Sequence, residues 1–489
     1  MSKNSYKSIA KANILFGGVQ IYNILISVLR SKAIALLLGP EGMGIMGLFN
    51  STLDLVKSAT NMGLQTSAVR EVSIAKNTRD YGKIQEIKTV LSKLVWITGL
   101  LGVLFTFIFA PYLSKFAFGN ESYILHFRIL SITLLIYQLT VEHNVILQGM
   151  RELKLLAKAN VIGSTLGLIL ILPIFYLKGL DAIVPSIIMT ALITYIAVYY
   201  LSRNIKIKSL NIGIKDFVIK GKSMVIMGFM LSLTGFMDVI VSYLVKIAIT
   251  NWGSVSEVGL YNAGYSIVLS YVGLVFSSIG TDYFPRLSAT ANDLQQCNLI
   301  INKQFALMIL VLTPLILFFI AFAPFLLKLL YSSEFVSVSS MICWLVAGMI
   351  FRAIAWCPGF MYIVKNDTRL YLLIYIFTIL IELSLFITFY YLYGLIGLGI
   401  SFFIVNVLCA LSSILITKWR YNCTYSFVSY KLMIYSIILT FAILGVSLID
   451  SMLKYYLYCF LLLISIIYSW RGLNERLGIS LYLKNKFLK

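Results

Sequence analysis

Charge is scarce in this chain. Only 12% of its 489 residues are Asp, Glu, Lys or Arg, and just 19 of those are acidic. A water-soluble fold of this length needs about twice that share to cover its surface, so the soluble classes are excluded. Histidine is scarcer still: His126 and His143 are too few and too scattered for a metal cluster. The six cysteines (Cys297, Cys343, Cys357, Cys409, Cys423 and Cys459) all follow the midpoint and show no CxxC spacing. Neither a zinc site nor a disulfide framework has support, and no metal or cofactor is expected. Strand-like alternation is absent, which excludes a transmembrane barrel. No small-residue cleavage site follows the first apolar run, so the expected first helix is retained rather than removed as a signal peptide.

What the chain has is apolar length. Hydrophobic residues make up 60% of it, and the mean hydropathy is +0.91. The apolar runs are mostly about 20 residues or longer, enough to cross a hydrocarbon layer of roughly 30 Å. With no water in that layer, helices must satisfy the backbone. The expected fold is an all-α polytopic membrane protein with fourteen helices. They lie near 12–38, 42–67, 90–112, 124–149, 155–177, 180–202, 223–249, 257–281, 304–327, 337–362, 370–392, 394–417, 430–449 and 453–470.

The net charge of +21 would suit a nucleic-acid partner, but its distribution argues against one. Thirty basic residues fall in alternate connections: the N-terminus (Lys3, Lys7, Lys11), 70–93, 151–158, 203–222, Arg286 with Lys303, Lys365 with Arg369, Lys418 to Lys431, and the C-terminus from Arg471 through Arg476, Lys484 and Lys486 to Lys489. The opposite connections hold only Lys115, Lys178, Lys328 and Lys454. The positive-inside rule then puts both termini in the cytoplasm.

The chain also repeats itself. Phe175-Tyr176-Leu177-Lys178-Gly179-Leu180 returns 215 residues later as Tyr390-Tyr391-Leu392-Tyr393-Gly394-Leu395. At the same offset Gly44 maps to Gly259, Ser51 to Ser266, Glu152 to Asp367 and Lys154 to Arg369; with a two-residue slip, Phe109-Ala110-Pro111 maps to Phe322-Ala323-Pro324. An even number of helices per copy gives parallel repeats related by an axis along the membrane normal, a transporter device. The expected organisation is a six-helix bundle at 1–205, a cytoplasmic linker at 206–221, a second six-helix bundle at 222–420, and two further helices with a tail at 421–489.

The first helix carries Gln20, Asn23, Arg30 and Lys32 and runs into Leu38-Gly39-Pro40-Glu41-Gly42-Met43-Gly44-Ile45. This opening resembles the polysaccharide-transporter branch of the multidrug/oligosaccharidyl-lipid/polysaccharide exporter superfamily, and within it the bacterial O-antigen flippases. The resemblance implies movement of an undecaprenyl-diphosphate-linked sugar unit from the inner to the outer leaflet of the bacterial cytoplasmic membrane by alternating access. Lipopolysaccharide biosynthesis, a polysaccharide polymerase and chain-length machinery are the implied context. Related lipid II flippases carry cavity cations on the first, second and eighth helices. Here the first two helices match, while the eighth, near 257–281, has no Lys or Arg.

Charged residues inside membrane helices are the candidate site, because each costs about 2.5–3.5 kcal/mol at the bilayer centre by insertion scales. For a lipid diphosphate the candidates are Arg30, Lys32, Lys57, Lys246 and Arg352. Lys57 sits about fifteen residues into the second helix, roughly 22 Å along it. Asp54 shares its helical face, so the pair is either part of a cavity or a neutral tie between helices. At an offset of 214, Lys32 maps to Lys246; cavity pseudo-symmetry and snorkelling to the outer headgroups both fit them. Arg352 neighbours Trp356-Cys357-Pro358-Gly359, where proline and glycine can break a helix at a cavity; Gly17–Gly18 can bend the first helix, although close packing is the commoner use of such glycines. Arg128, near a helix end, reads as an interface anchor. Asp54, Asp238, Glu142 and Glu382 are candidates for H⁺ or Na⁺ coupling or for ion pairs, Glu142 with Arg151.

Two other functions compete. A multidrug exporter of the same superfamily would favour an acidic, aromatic cavity. A membrane polymerase or glycosyltransferase would need catalytic groups on a substantial outer loop, and the longest outer stretches, near 112–123 and 328–336, are short and nearly featureless.

Overall fold

Three glycines divide the longest helices of this protein. The computed structural model describes residues 3–477 apart from 206, 448 and 450; Lys206, Lys484, Lys486 and Lys489, and the side chains of Lys3, Lys7, Lys11 and Gln20, lie outside the described residues. Among those residues there are helices and no strands. Eleven segments are long and apolar enough to cross a membrane. Three of them, Tyr22–Asn61, Leu153–Ser202 and Thr368–Tyr421, hold 40, 50 and 54 residues, or about 60–80 Å of helix, twice the hydrocarbon thickness. Each contains a glycine in the left-handed region: Gly39 (φ 66°), Gly179 (φ 55°) and Gly394 (φ 61°). Only glycine adopts that conformation without a Cβ clash. Around Gly179 the chain reverses: Gly163 packs against Thr194 and Gly167 against Thr190, the pairing of antiparallel arms.

The chain packs as two units, Met1–Gly259 and Leu260–Lys489. The first holds α1 (Lys3–Asn61), α2 (Leu64–Asn77), α3 (Tyr81–Phe118), α4 (Ile124–Leu130), α5 (Ile132–Gly149), α6 (Leu153–Lys178), α7 (Ile183–Ser202) and α8 (Ile214–Trp252). Helix α9 (Val255–Ile267) begins in it. The second unit holds α10 (Gly273–Ala289), α11 (Leu294–Ala321), α12 (Ala323–Leu330), α13 (Ser339–Val364), α14 (Thr368–Tyr421), α15 (Phe427–Ser447) and α16 (Leu453–Leu477).

The basic stretch 70–93, expected as a connection, is mostly helix. In α2 the residues Leu64, Ala68, Val72 and Ala75 are buried at three- and four-residue spacing, which is one face of a helix. They join Ile84, Leu91, Val141, Val145 and Met224 in a core shared by α2, α3, α5 and α8. The charges that suggested a loop line the other face. Helix α1 is helical at Gly17–Gly18 and departs from helical geometry at Gly39.

Glycines set how α8 and the first turn of α9 meet α1. A Cβ on Gly44 would strike the Val255 carbonyl, and a Cβ on Gly259 would strike the Pro40 carbonyl. The offset of 215 maps Pro40 to Val255 and Gly44 to Gly259, so the contact is reciprocal. At the far end of the same stretch, Gly63 and Gly228 meet backbone to backbone. These contacts place the start of the second sequence copy in the first packing unit.

The duplication recurs in conformation. Arg151 (φ 55°) and Asn366 (φ 56°) are equivalent left-handed residues, as are Gly179 and Gly394. Around them the amides of Met150, Arg151 and Glu152 donate to the carbonyls of Ile146, Gln148 and Leu147; those of Lys365, Asn366 and Asp367 donate to Met361, Ile363 and Tyr362, the same pattern shifted by 215.

Pro358 does not break its helix: α13 runs through it, as the expected helix at 337–362 does. Proline has no N–H, so the carbonyl four residues earlier loses its donor. The buried Tyr425 hydroxyl donates to that carbonyl, on Ile354, at 2.8 Å. Ser413 donates to Ala355 at 3.1 Å and Tyr283 to Cys357 at 2.7 Å. The helix stays whole because side chains supply what the ring removed.

Candidate functional site

The second half of α1 brings three of the sequence-predicted residues together. Asp54 and Lys57 are one turn apart, and Lys57 Nζ lies 2.9 Å from Asp54 Oδ1. Lys246, on α8, also lies within electrostatic range of the Asp54 carboxylate. Tyr137 of α5 faces the same carboxylate, and Lys57 Nζ stands 4.9 Å over its ring. Such a cation–π contact adds about 0.5–2 kcal/mol, more as the site loses water. Tyr137 is midway along the Ile124–Gly149 span, which places the lysine head away from either helix end. The carboxylate is open, with the Asp54 side chain 54% exposed, while Lys57 is 25% exposed. The cluster therefore offers two ammonium groups against one carboxylate, a net positive site within a membrane helix bundle.

Arg30 sits elsewhere on α1, in a polar seam with α6. Tyr22 Oη lies 2.6 Å from Thr165 Oγ1, Ser164 Oγ donates to Asn23 Oδ1 at 3.2 Å, and the Arg30 guanidinium packs against Gly167. Its Nε is buried without a hydrogen-bond acceptor. A side chain at position 167 would crowd the guanidinium, so Gly167 makes the room that Arg30 occupies. Lys32, two residues on, is half-buried.

Of the other acids, Glu142 and Asp238 lie on α5 and α8 of the first unit and Glu382 on α14 of the second. Glu142 is buried five residues after Tyr137 on α5, within electrostatic range of Ser92 and Lys88. The expected pairing with Arg151 does not form, because Arg151 is exposed in the left-handed turn beyond the helix end. Beside Glu142, His143 Nδ1 lies 2.9 Å from Ser202 Oγ. Asp238 is exposed on α8, eight residues before Lys246. Arg128 stacks on Phe107 at 5.3 Å.

In the second unit, Arg352 is exposed on α13. It and Glu382 both lie within electrostatic range of Cys409. That cysteine lines an apolar groove of about 520 Å³ between the arms of α14, walled by Leu373, Phe377, Val405 and Leu408. All six cysteines are free thiols, and no metal-holding group of His, Cys, Asp or Glu occurs among the described residues.

Sequence reasoning missed Tyr137, Tyr22 and Thr165. Nothing in their local sequence separates them from the other 29 tyrosines or from ordinary helix-facing threonines. Only the packing of α5 and α6 against α1 singles them out.

Residues 33–340 match the family described as "Polysaccharide biosynthesis protein". A Shigella flexneri protein carrying the name "Putative O-antigen transporter" is 25% identical over 394 residues, covering 79% of this chain and 91% of that protein. The fold is similar to that of the lipid II flippase MurJ in its inward closed conformation, with a TM-score of 0.71 at 15% identity over 95% of this chain and 99% of that one. It is also similar to a multidrug resistance MATE family transporter of the MOP superfamily in an inward-facing conformation, with a TM-score of 0.65 at 18% identity over 82% of this chain and 94% of that one.

Proposed function

Because the chain belongs to the polysaccharide biosynthesis protein family, we propose that it is a flippase carrying an undecaprenyl-diphosphate-linked oligosaccharide from the inner to the outer leaflet of the bacterial cytoplasmic membrane. The observation that carries this reading is the pair of lysines, one from each sequence copy, around a single membrane-embedded carboxylate. A diphosphate concentrates negative charge that a net cationic cluster attracts, and lysine recognises it as a point charge. The organic cations handled by a multidrug exporter would meet repulsion there. Arg30, Lys32 and Arg352 are further phosphate-recognising candidates in this reading. The name of the Shigella relative and the likeness to a lipid II flippase support the same substrate class. The reading includes fourteen crossings, with each double-length span turning at its glycine, and both termini in the cytoplasm.

Charge should then matter more than side-chain shape at Lys57. In cells depleted of the native protein, Lys57→Arg should keep most glycan export, while Lys57→Ala and Lys57→Glu should lose it at equal protein level. Lys57→Ala leaves Asp54 without its nearest partner, so Asp54→Ala/Lys57→Ala is measured beside it. Full export by the double variant would mean that Lys57 only neutralises Asp54, and the phosphate role would be wrong.

A further inference from the structure

Asp54 stands where a bound anion would have to stand. Its carboxylate is 2.9 Å from Lys57 Nζ, lies within electrostatic range of Lys246 on α8, and is the more exposed partner of the Asp54–Lys57 pair. A tie between helices would be sealed by packing; here the acid is open and the lysine is the covered member. A second anion brought to the same ammonium stands beside the Asp54 carboxylate and is repelled by it, so the two compete for the lysines. An incoming diphosphate therefore meets a site whose cations are already engaged.

Resting on the flippase reading, we propose that Asp54 is an internal counter-ion. The substrate diphosphate displaces it from Lys57 and Lys246, and it returns to expel the diphosphate. Its role is to hold affinity low enough for release. Binding both states of a transport cycle equally tightly shifts nothing, so a carrier needs a competing interaction that favours the empty site. The carboxylate supplies one, fixed on the same helical turn as Lys57 and so present at high local concentration. Tyr137, with its ring under Lys57, keeps the ammonium in place while its partner changes.

The test uses the purified full chain in detergent, with farnesyl diphosphate as the charged probe and farnesol as its uncharged counterpart. Wild type should bind farnesyl diphosphate in a salt-sensitive way and discriminate against farnesol. Asp54→Asn should bind it at least tenfold more tightly, with farnesol binding unchanged, and should lose glycan export in cells. Asp54→Glu should return affinity and export toward wild type. Structural damage lowers affinity, so a rise separates a counter-ion from a structural acid. If wild type binds farnesyl diphosphate but Asp54→Asn binds no more tightly, the counter-ion inference is wrong and the flippase reading stands. If wild type does not distinguish the diphosphate from farnesol, the substrate reading itself fails, and this inference with it.

Discussion

Lys365 donates its Nζ to the carbonyl of Ala291 at 2.6 Å. In the first unit Lys76 donates to the carbonyl of Met150. The offset of 215 maps 76 to 291 and 150 to 365, so the two contacts join equivalent positions with the lysine moved to the opposite partner. The contact has outlasted the residues that make it. In each unit it ties the end of one helix to the turn after another.

That exchange predicts a rescue. Lys76→Ala should lower stability by about 1–2 kcal/mol, the loss of a charge-assisted hydrogen bond that is partly solvated. Adding Met150→Lys should recover most of it, by giving the first unit the second unit's arrangement. Thermal unfolding of the purified protein, Lys76→Ala against Lys76→Ala/Met150→Lys, reads the difference. A double variant no more stable than the single would show that the two turns are not interchangeable.

Tyr425 and Pro358 should behave as one unit. Tyr425→Phe strips the donor from the buried Ile354 carbonyl and should destabilise by about 1–3 kcal/mol, the penalty of an unsatisfied buried group. In a Pro358→Ala background the new N–H can take that carbonyl, and the same change should cost clearly less. A double-mutant cycle measures the coupling; additive effects would deny it.

Gly228 and Gly235 lie two turns apart on α8 and should answer differently to the same substitution. A Cβ on Gly228 would run into the backbone of Met62 and Gly63, whereas one on Gly235 would meet open space. Gly228→Ala should therefore cost about 1–3 kcal/mol through overpacking. Gly235→Ala should be neutral or stabilising, since alanine is the better helix former. Unfolding midpoints of the two variants decide this, and equal midpoints would remove the close-packing argument.

The turn at Gly179 makes a topological prediction. In a cysteine-free background, a cysteine at Lys178 should react with a membrane-impermeant maleimide added outside intact cells. Cysteines at Lys158 and Lys208 should react only after permeabilisation. All three side chains are exposed. Outside labelling of position 208 would overturn the cytoplasmic placement of the connection between the halves, and with it the placement of both termini.

The membrane class, the helical fold, the duplication and the candidate charges were legible in the sequence, because each rests on a local or periodic property. Burying an apolar run or a lone charge has consequences wherever its helix goes. What the sequence did not contain was which side chains meet. It offered Asp54 and Lys57 as a pair on one helical face and Lys246 as a separate embedded charge; the packing of α1 against α5 and α8 made them one cluster and added Tyr137. It counted the charges of 70–93 as a loop, although a shared core claimed their apolar neighbours for α2. It left open a break at Pro358, because the donor that repairs the helix is 67 residues away at Tyr425. Such pairings depend on contacts between segments far apart in the chain, and no local pattern carries them.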